Sequence, residues 1–299
     1  MSGPARVVFA GLATYDVIQL VERLPLPDEK VAALEFLTAA GGPAANAAIA
    51  CAYLCGADNP AARPTLVTAL PHHPLSSIIA DDLVGNGVDV AVVAAYEGAP
   101  ITASIMVTAG TGERAVVSPT SAATDLALVA EVTIDLDGVG AILIDGYFRS
   151  LSLPVARAAR ERGVPIVLDA GSFKPYTDEL LHNVDVAVVS DAFRPPGTTS
   201  NSDSVFGYLR ARGVMWSAIT RGGGSIAFMC PGGSGEVAAP AVAGVVDTLG
   251  AGDFFHGALA HRISTEGLDG DRFAEDLAFA AEVTARSLTS FGTRAWLRA

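Results

Sequence analysis

Short β-branched runs alternate with alanine-rich segments along most of the chain. Segments 6–13 (RVVFAGLA), 65–70 (TLVTAL), 88–95 (VDVAVVAA), 140–147 (GAILIDGY), 164–171 (VPIVLDAG), 184–191 (VDVAVVSD) and 214–223 (VMWSAITRGG) are apolar over strand length. Most are bounded by Gly, Asp or Pro, the punctuation that ends strands. Between them, 44–55 (AANAAIACAYLC), 74–85 (PLSSIIADDLVG), 151–163 (LSLPVARAARERG) and 202–213 (SDSVFGYLRARG) read as helices that cover a sheet. A βαβα rhythm with nearly continuous apolar strands predicts an α/β fold, a mainly parallel sheet with helices on both faces. No repeat, low-complexity tract or linker interrupts it, so 1–299 is expected to be a single domain.

Two regions break the rhythm. Residues 15–37 and 99–118 carry strand-like sequence with no helix between, and 101–118 (ITASIMVTAGTGERAVVS) has a hairpin signal at GTGE. Paired, they would make a small β-sheet projecting from one edge of the main sheet. Such a sheet would act as a lid over a ligand at the carboxyl ends of the strands, where open α/β sheets bind.

Charge narrows the partners. With 19 Lys and Arg against 32 Asp and Glu, the net charge of −13 repels nucleic acid and anionic membrane surfaces. No apolar run reaches the roughly 18 residues of a membrane span, and the N-terminus passes into a strand pattern without a signal-peptide layout. A soluble cytoplasmic protein is expected. The three cysteines, Cys51, Cys55 and Cys230, lie in apolar sequence and read as core thiols rather than a disulfide framework or a metal site. His256 and His261 lack a metal-ligand partner at the usual spacing and read as packing or surface residues.

The most informative stretch is 245–260, VVDTLGAGDFFHGALA. A strand pattern passes through Gly250, Ala251 and Gly252 into an apolar helix with Asp253 at its mouth. Backbone N–H groups at that point have no intrahelical partner and face the positive end of the helix dipole, which attracts an anion. A carboxylate beside an anion site suits phosphoryl transfer, taking a proton from an attacking hydroxyl while the N–H groups neutralise the phosphate. The same residues would also serve as a tight turn with an acid capping the helix. No GxxxxGK[ST] occurs, which excludes P-loop kinases, and 7–16 (VVFAGLATYD) lacks the GxGxxG of a dinucleotide-binding dehydrogenase.

DTLGAGDFFHGALA closely resembles the C-terminal signature of the ribokinase-like (PfkB) sugar kinases, and GGPAANAAIA at 41–50 resembles their N-terminal one, in the family's order. The likeness extends over essentially the whole chain, and within the family these segments are most similar to the sulfofructose kinases, with ketohexokinases and ribokinases somewhat further off. It implies a three-layer α/β/α sandwich with a β-sheet lid, and an ATP-dependent transfer to a sugar hydroxyl that uses Mg²⁺. Asp253 matches the catalytic base, and Gly250, Ala251 and Gly252 match the anion hole. Asp16, Gly42 and Asn46 match sugar-binding positions. Thr220, Gly222 and Gly224 match the ATP-side turn, and Asp247 and Thr248 match a phosphate or monovalent-cation position. Lys30 stands where a cation meets an anionic sugar substituent in the sulfofructose kinases. The family's Asn-x-x-Glu pattern is replaced by SDAF at 190–193, where Asp191 is the remaining carboxylate for Mg²⁺. The resemblance also implies a homodimer through the lid. Nucleoside kinases share the architecture, although 7% aromatic residues leave few rings to stack a base; a sugar or nucleotide sensor without catalysis is the other alternative.

Overall fold

The computed structural model describes residues 6–56, 59–120 and 133–298. Its first part runs β1 (Arg6–Ala10), β2 (Thr14–Val21), β3 (Glu35–Gly41), α1 (Pro43–Cys55), β4 (Thr65–Ala69), α2 (Pro74–Gly85), β5 (Asp89–Ala94), β6 (Thr102–Thr108) and β7 (Arg114–Val117). Then follow β8 (Val139–Ile144), α3 (Arg149–Arg162), β9 (Ile166–Ala170), α4 (Thr177–Leu181), β10 (Val186–Ser190), α5 (Ser202–Arg210) and β11 (Trp216–Thr220). The chain closes with the hairpin strands β12 (Ile226–Cys230) and β13 (Gly233–Val237), then α6 (Ala251–Glu266) and α7 (Phe273–Ser287).

Nine strands form the main sheet in the order β13-β12-β11-β10-β9-β8-β1-β4-β5. The seven from β11 to β5 are parallel, and β12 and β13 add an antiparallel edge. Side chains alternate across the strands, so each strand supplies both cores. Val7, Phe9, Val186 and Val188 pack under α1, α6 and α7, while Val8, Ala10, Ala187 and Val189 pack under α3, α4 and α5. Every strand segment read from the sequence is a strand of this sheet, and the four helical segments are α1, α2, α3 and α5. The antiparallel edge follows from β-hairpin connections, which cannot return a strand in the parallel sense.

The close packing of α1 on α6 is built from small residues. Ala44, Ala47, Ala48 and Cys51 are fully buried, and a Cβ on Gly257 would lie 2.1 Å from the carbonyl oxygen of Ala47. Only glycine fits there, and the two helices can therefore set their N-terminal ends side by side.

The segments that break the α/β rhythm form a second sheet in the order β3-β2-β6-β7, with β2 and β6 parallel and the other pairs antiparallel. Its register places Asp16, Ile18, Ala103, Ile105 and Val107 on one face, which packs against Leu249 and Phe291. Phe36 and Val117 are exposed on the other face, where Val17 and Met106 are half-buried. No helix among the described residues is long and apolar enough to cross a membrane.

Candidate active site

Gly250 begins α6 with φ 76°, a left-handed conformation that costs glycine nothing and most residues 1–2 kcal/mol. Gly42 begins α1 in the same positive range, φ 96°. Neither Gly42 nor Gly250 can cap its helix with a side chain: in α1 the Ala44 N–H is taken by Asp145 at 3.2 Å, and in α6 the Ala251 N–H reaches back to the Thr248 carbonyl at 3.4 Å.

Asp253 lies in the first turn of α6. The Asn46 amide, on the first turn of α1, donates to Asp253 Oδ2 at 2.9 Å. Arg294 fixes the amide's orientation, donating from Nη1 to Asn46 Oδ1 at 3.3 Å while its Nη2 holds Asp82 at 2.9 Å. Burial, and next the Asp169 carboxylate, push the Asp253 carboxyl up to about 7, against the opposing pull of Asn46, His256 and Arg114. A carboxylate tuned to that range can exchange a proton near neutral pH.

Around it lies a cavity of about 380 Å³, whose lining includes Arg114, Asp145, Tyr147, Asp169, Lys174 and Asp253. Its floor is formed by the carboxyl ends of main-sheet strands. Asp145 follows β8 and accepts the N–H groups of Leu12 at 2.8 Å, Tyr147 at 2.9 Å and Ala44 at 3.2 Å, tying the first turn of α1 to the sheet. Burial nevertheless holds its carboxyl up at about 6. Asp169, in β9, points to the α6 side because its neighbours Leu168 and Ala170 point to the other core. Its Oδ2 is 3.3 Å from Nδ1 of His256, which also meets the Gly252 carbonyl at 2.5 Å. Lys174 lies over the Tyr147 ring, 4.5 Å from its centre.

Of the residues singled out by the sequence, Gly250, Gly252, Asp253 and Thr220 line this cavity, and Asn46 reaches it through Asp253. Ala251 is the first residue of α6. Asp16 is buried on β2, accepts the Thr14 hydroxyl at 2.5 Å, and is pushed up to about 6 by burial. Asp247 accepts the N–H groups of Leu249 at 2.8 Å and Gly292 at 2.9 Å, so both its oxygens are engaged in shaping the loop. Thr248 donates its hydroxyl to the Gly112 carbonyl at 2.8 Å and accepts from Arg114 at 3.0 Å, which ties that loop to the β6–β7 turn. Gly222 and Gly224 form the turn between β11 and β12.

Two further sequence expectations fall on exposed residues. Lys30 is exposed on the connection between β2 and β3, and Asp191 is exposed on the turn after β10; neither is among the residues lining the cavity. His256 and His261 differ from their sequence reading in being part of polar clusters, the first beside Asp169 and the second beside Cys55 at 3.7 Å. His73 caps α2 by accepting the Leu75 N–H.

The sequence profile of the pfkB family carbohydrate kinases matches residues 4–298. The chain belongs to this family. As a pfkB carbohydrate kinase it is a phosphotransferase with an alcohol group as acceptor, a kinase of sugars or nucleosides. It is 27% identical over 292 residues to the ribokinase of Arabidopsis thaliana, an alignment covering 92% of this kinase and 74% of that protein. The solved structure of Arabidopsis thaliana ribokinase complexed with ribose and ATP superposes with a TM-score of 0.72 at 24% identity, over 96% of this kinase and 94% of that chain. A Burkholderia thailandensis nucleoside kinase in complex with inosine shares the fold with a TM-score of 0.69 at 17% identity, over 97% and 94%.

Proposed function

We propose that this kinase transfers the γ-phosphate of ATP to a hydroxyl of a small sugar, with Asp253 as the general base. The observation that carries the proposal is the placement of Asp253: a carboxyl pushed up to about 7, oriented by Asn46, one residue beyond the uncapped N–H groups at the start of α6. The base takes the hydroxyl proton as the oxygen attacks, and the N–H groups of the Gly250–Gly252 turn receive the charge that develops on the phosphate. Arg114 and Lys174, the cations in the cavity lining, balance the remaining phosphate charge. Asp16 and Asn46 offer acceptors and donors to the sugar hydroxyls, and Thr220 marks the ATP side.

When bound with the nucleotide, Mg²⁺ would supply charge neutralisation at the phosphates. Asp169 and Ser190 supply oxygen donors in the cavity of the kind such a hard cation takes. Asp191 is outside the cavity lining and is left out of this set. Asp247, with both oxygens on backbone N–H groups, sets the loop and is not proposed as a monovalent-cation ligand.

The preferred acceptor is a ketose or an anionic derivative such as sulfofructose, with Lys174 rather than the exposed Lys30 as the cation for an acidic substituent. A nucleoside acceptor has one observation in its favour, the Tyr147 ring at the cavity wall. ADP release with Mg²⁺ and ATP, measured across ribose, fructose, sulfofructose, tagatose, inosine and adenosine, separates these readings. Turnover of a nucleoside alone would overturn the sugar assignment, and turnover of an anionic sugar lost in Lys174→Met would fix the specificity residue.

The outer face of the small sheet, with Phe36 and Val117 exposed beside Val17 and Met106, supports a homodimer formed face to face through these sheets. Sedimentation of the wild type as a dimer and of Phe36→Asp as a monomer is the expected result.

A further inference from the structure

Cys51 and Cys55 are four residues apart on α1, which places both on one face of the helix, and His261 faces them from α6. Cys51 Sγ lies 4.0 Å from Cys55 Sγ, which lies 3.7 Å from His261 Nδ1. Among the described residues, these are the one group of three His, Cys, Asp or Glu side chains whose ligand atoms all fall within 4.8 Å of one another. In a tetrahedral site with Zn–S of about 2.3 Å and Zn–N of about 2.0–2.1 Å, the sulfur–sulfur edge is about 3.8 Å and the sulfur–nitrogen edge about 3.6 Å. Two of the three edges already match those lengths to within a few tenths of an ångström. We propose that Cys51, Cys55 and His261 bind one Zn²⁺ ion, with water as the fourth ligand.

Geometry and charge both favour that ion. Cys55 also lines a cavity of about 460 Å³, together with Tyr53, Arg63, Asn86 and Leu297, from which a water reaches the open position. Cys51 is fully buried, whereas Cys55 and His261 are half-buried. Two thiolates cancel the charge of a dication, so the buried site carries no net charge and avoids the cost of an unpaired buried ion. On binding, each S–H bond gives its proton to solvent and is replaced by a bond to zinc, His261 binds as neutral imidazole, and nothing is oxidised or reduced. The ion would bridge the two helices that carry Asn46 and Asp253, deeper along the same helix pair, and it touches neither of them.

The test uses the full-length kinase stripped with a chelator and reloaded with Co²⁺ alone or Zn²⁺ alone. One equivalent of Co²⁺ should give thiolate-to-cobalt charge-transfer absorption, removed by one equivalent of Zn²⁺, and Zn²⁺ should raise the thermal midpoint. Cys55→Ser and His261→Gln should each weaken zinc binding by at least ~100-fold, beyond the 10–100-fold that loss of an outer contact costs. His261→Gln keeps both thiols and serves if Cys55→Ser does not fold, its zinc-free melt reporting the fold directly. Absence of the charge-transfer band, or equal zinc affinity in a folded His261→Gln protein, would overturn the site.

Discussion

Carboxylates at the two extremes of this molecule have opposite fates. In the interior, Asp16 on β2 and Asp145 at the cavity are pushed up to about 6 and Asp253 to about 7, with burial the largest cause in each case. At the rim, the hydrogen bond from Arg23 draws Glu29 down to about 2, that from Arg212 lowers Asp178, and those from Ser225 and then Arg221 lower Glu236. The difference lies first in solvation and only then in the donors. Rim acids meet a guanidinium in water, Glu236 with the Ser225 hydroxyl as well, and are fixed as ions, whereas the buried acids meet amides, a hydroxyl and backbone N–H groups in a poorly solvated place. The buried acids keep protons that can move in the neutral range.

The sharpest way to break this contrast is to remove the proton acceptor. Asp253→Asn should lower kcat by ~10²–10⁴-fold, the usual contribution of a positioned base, with sugar binding by calorimetry nearly unchanged. A mutant with near wild-type turnover would mean that the buried carboxylate is not the base. A smaller effect should appear in the pH dependence of kcat/KM, whose rising limb is expected near pH 7. Asn46→Ala removes a hydrogen bond to the ionised form and should move that limb up, and Asp169→Asn removes a repelling charge and should move it down. Shifts of the same sign in both would show that the limb belongs to another group.

Stability offers a third comparison, with a sign that follows from proton linkage. A carboxyl whose folded pKa is raised holds more protons folded than unfolded between about 3.8 and 7, so its stabilising contribution is complete below pH 3.8 and is lost as pH rises through 7. Asp253→Asn should therefore melt above the wild type at pH 8, and the gap should close toward pH 4. A gap that widens in acid would contradict the assignment. The smallest effect belongs to the rim: Glu236→Gln, which breaks an exposed contact with Arg221, should leave the thermal midpoint where it was. A clear fall there would show that rim pairs matter as much as the cavity.

The two sheets were unequally legible in the sequence. The parallel strands inside the main sheet are buried on both faces, so each reads as an unbroken apolar run, whereas the exposed edge strand β13, GSGEV, carries no such pattern; GAGD with GGPAANAAIA marks the two helix starts that meet at Asp253. The acids of the cavity floor were missed because each is a single polar residue closing an apolar strand, in ILIDG and VLDAG. That position, the carboxyl end of a parallel strand, was the signal that could have found Asp145 and Asp169. Lys174, Arg114 and Arg294 carry no such mark, since their distances to the site are set by contacts between elements far apart in the chain. The same distance hid His261 from Cys55, which is 206 residues away in sequence.

The bond between Thr248 and Gly112 has a thermodynamic consequence. It joins the β6–β7 hairpin to the turn that opens α6, so under the proposed function a sugar that shifts the hairpin also shifts the N–H groups assigned to phosphate. Coupling between two ligands is reciprocal: whatever factor the sugar adds to nucleotide affinity, the nucleotide must return to the sugar.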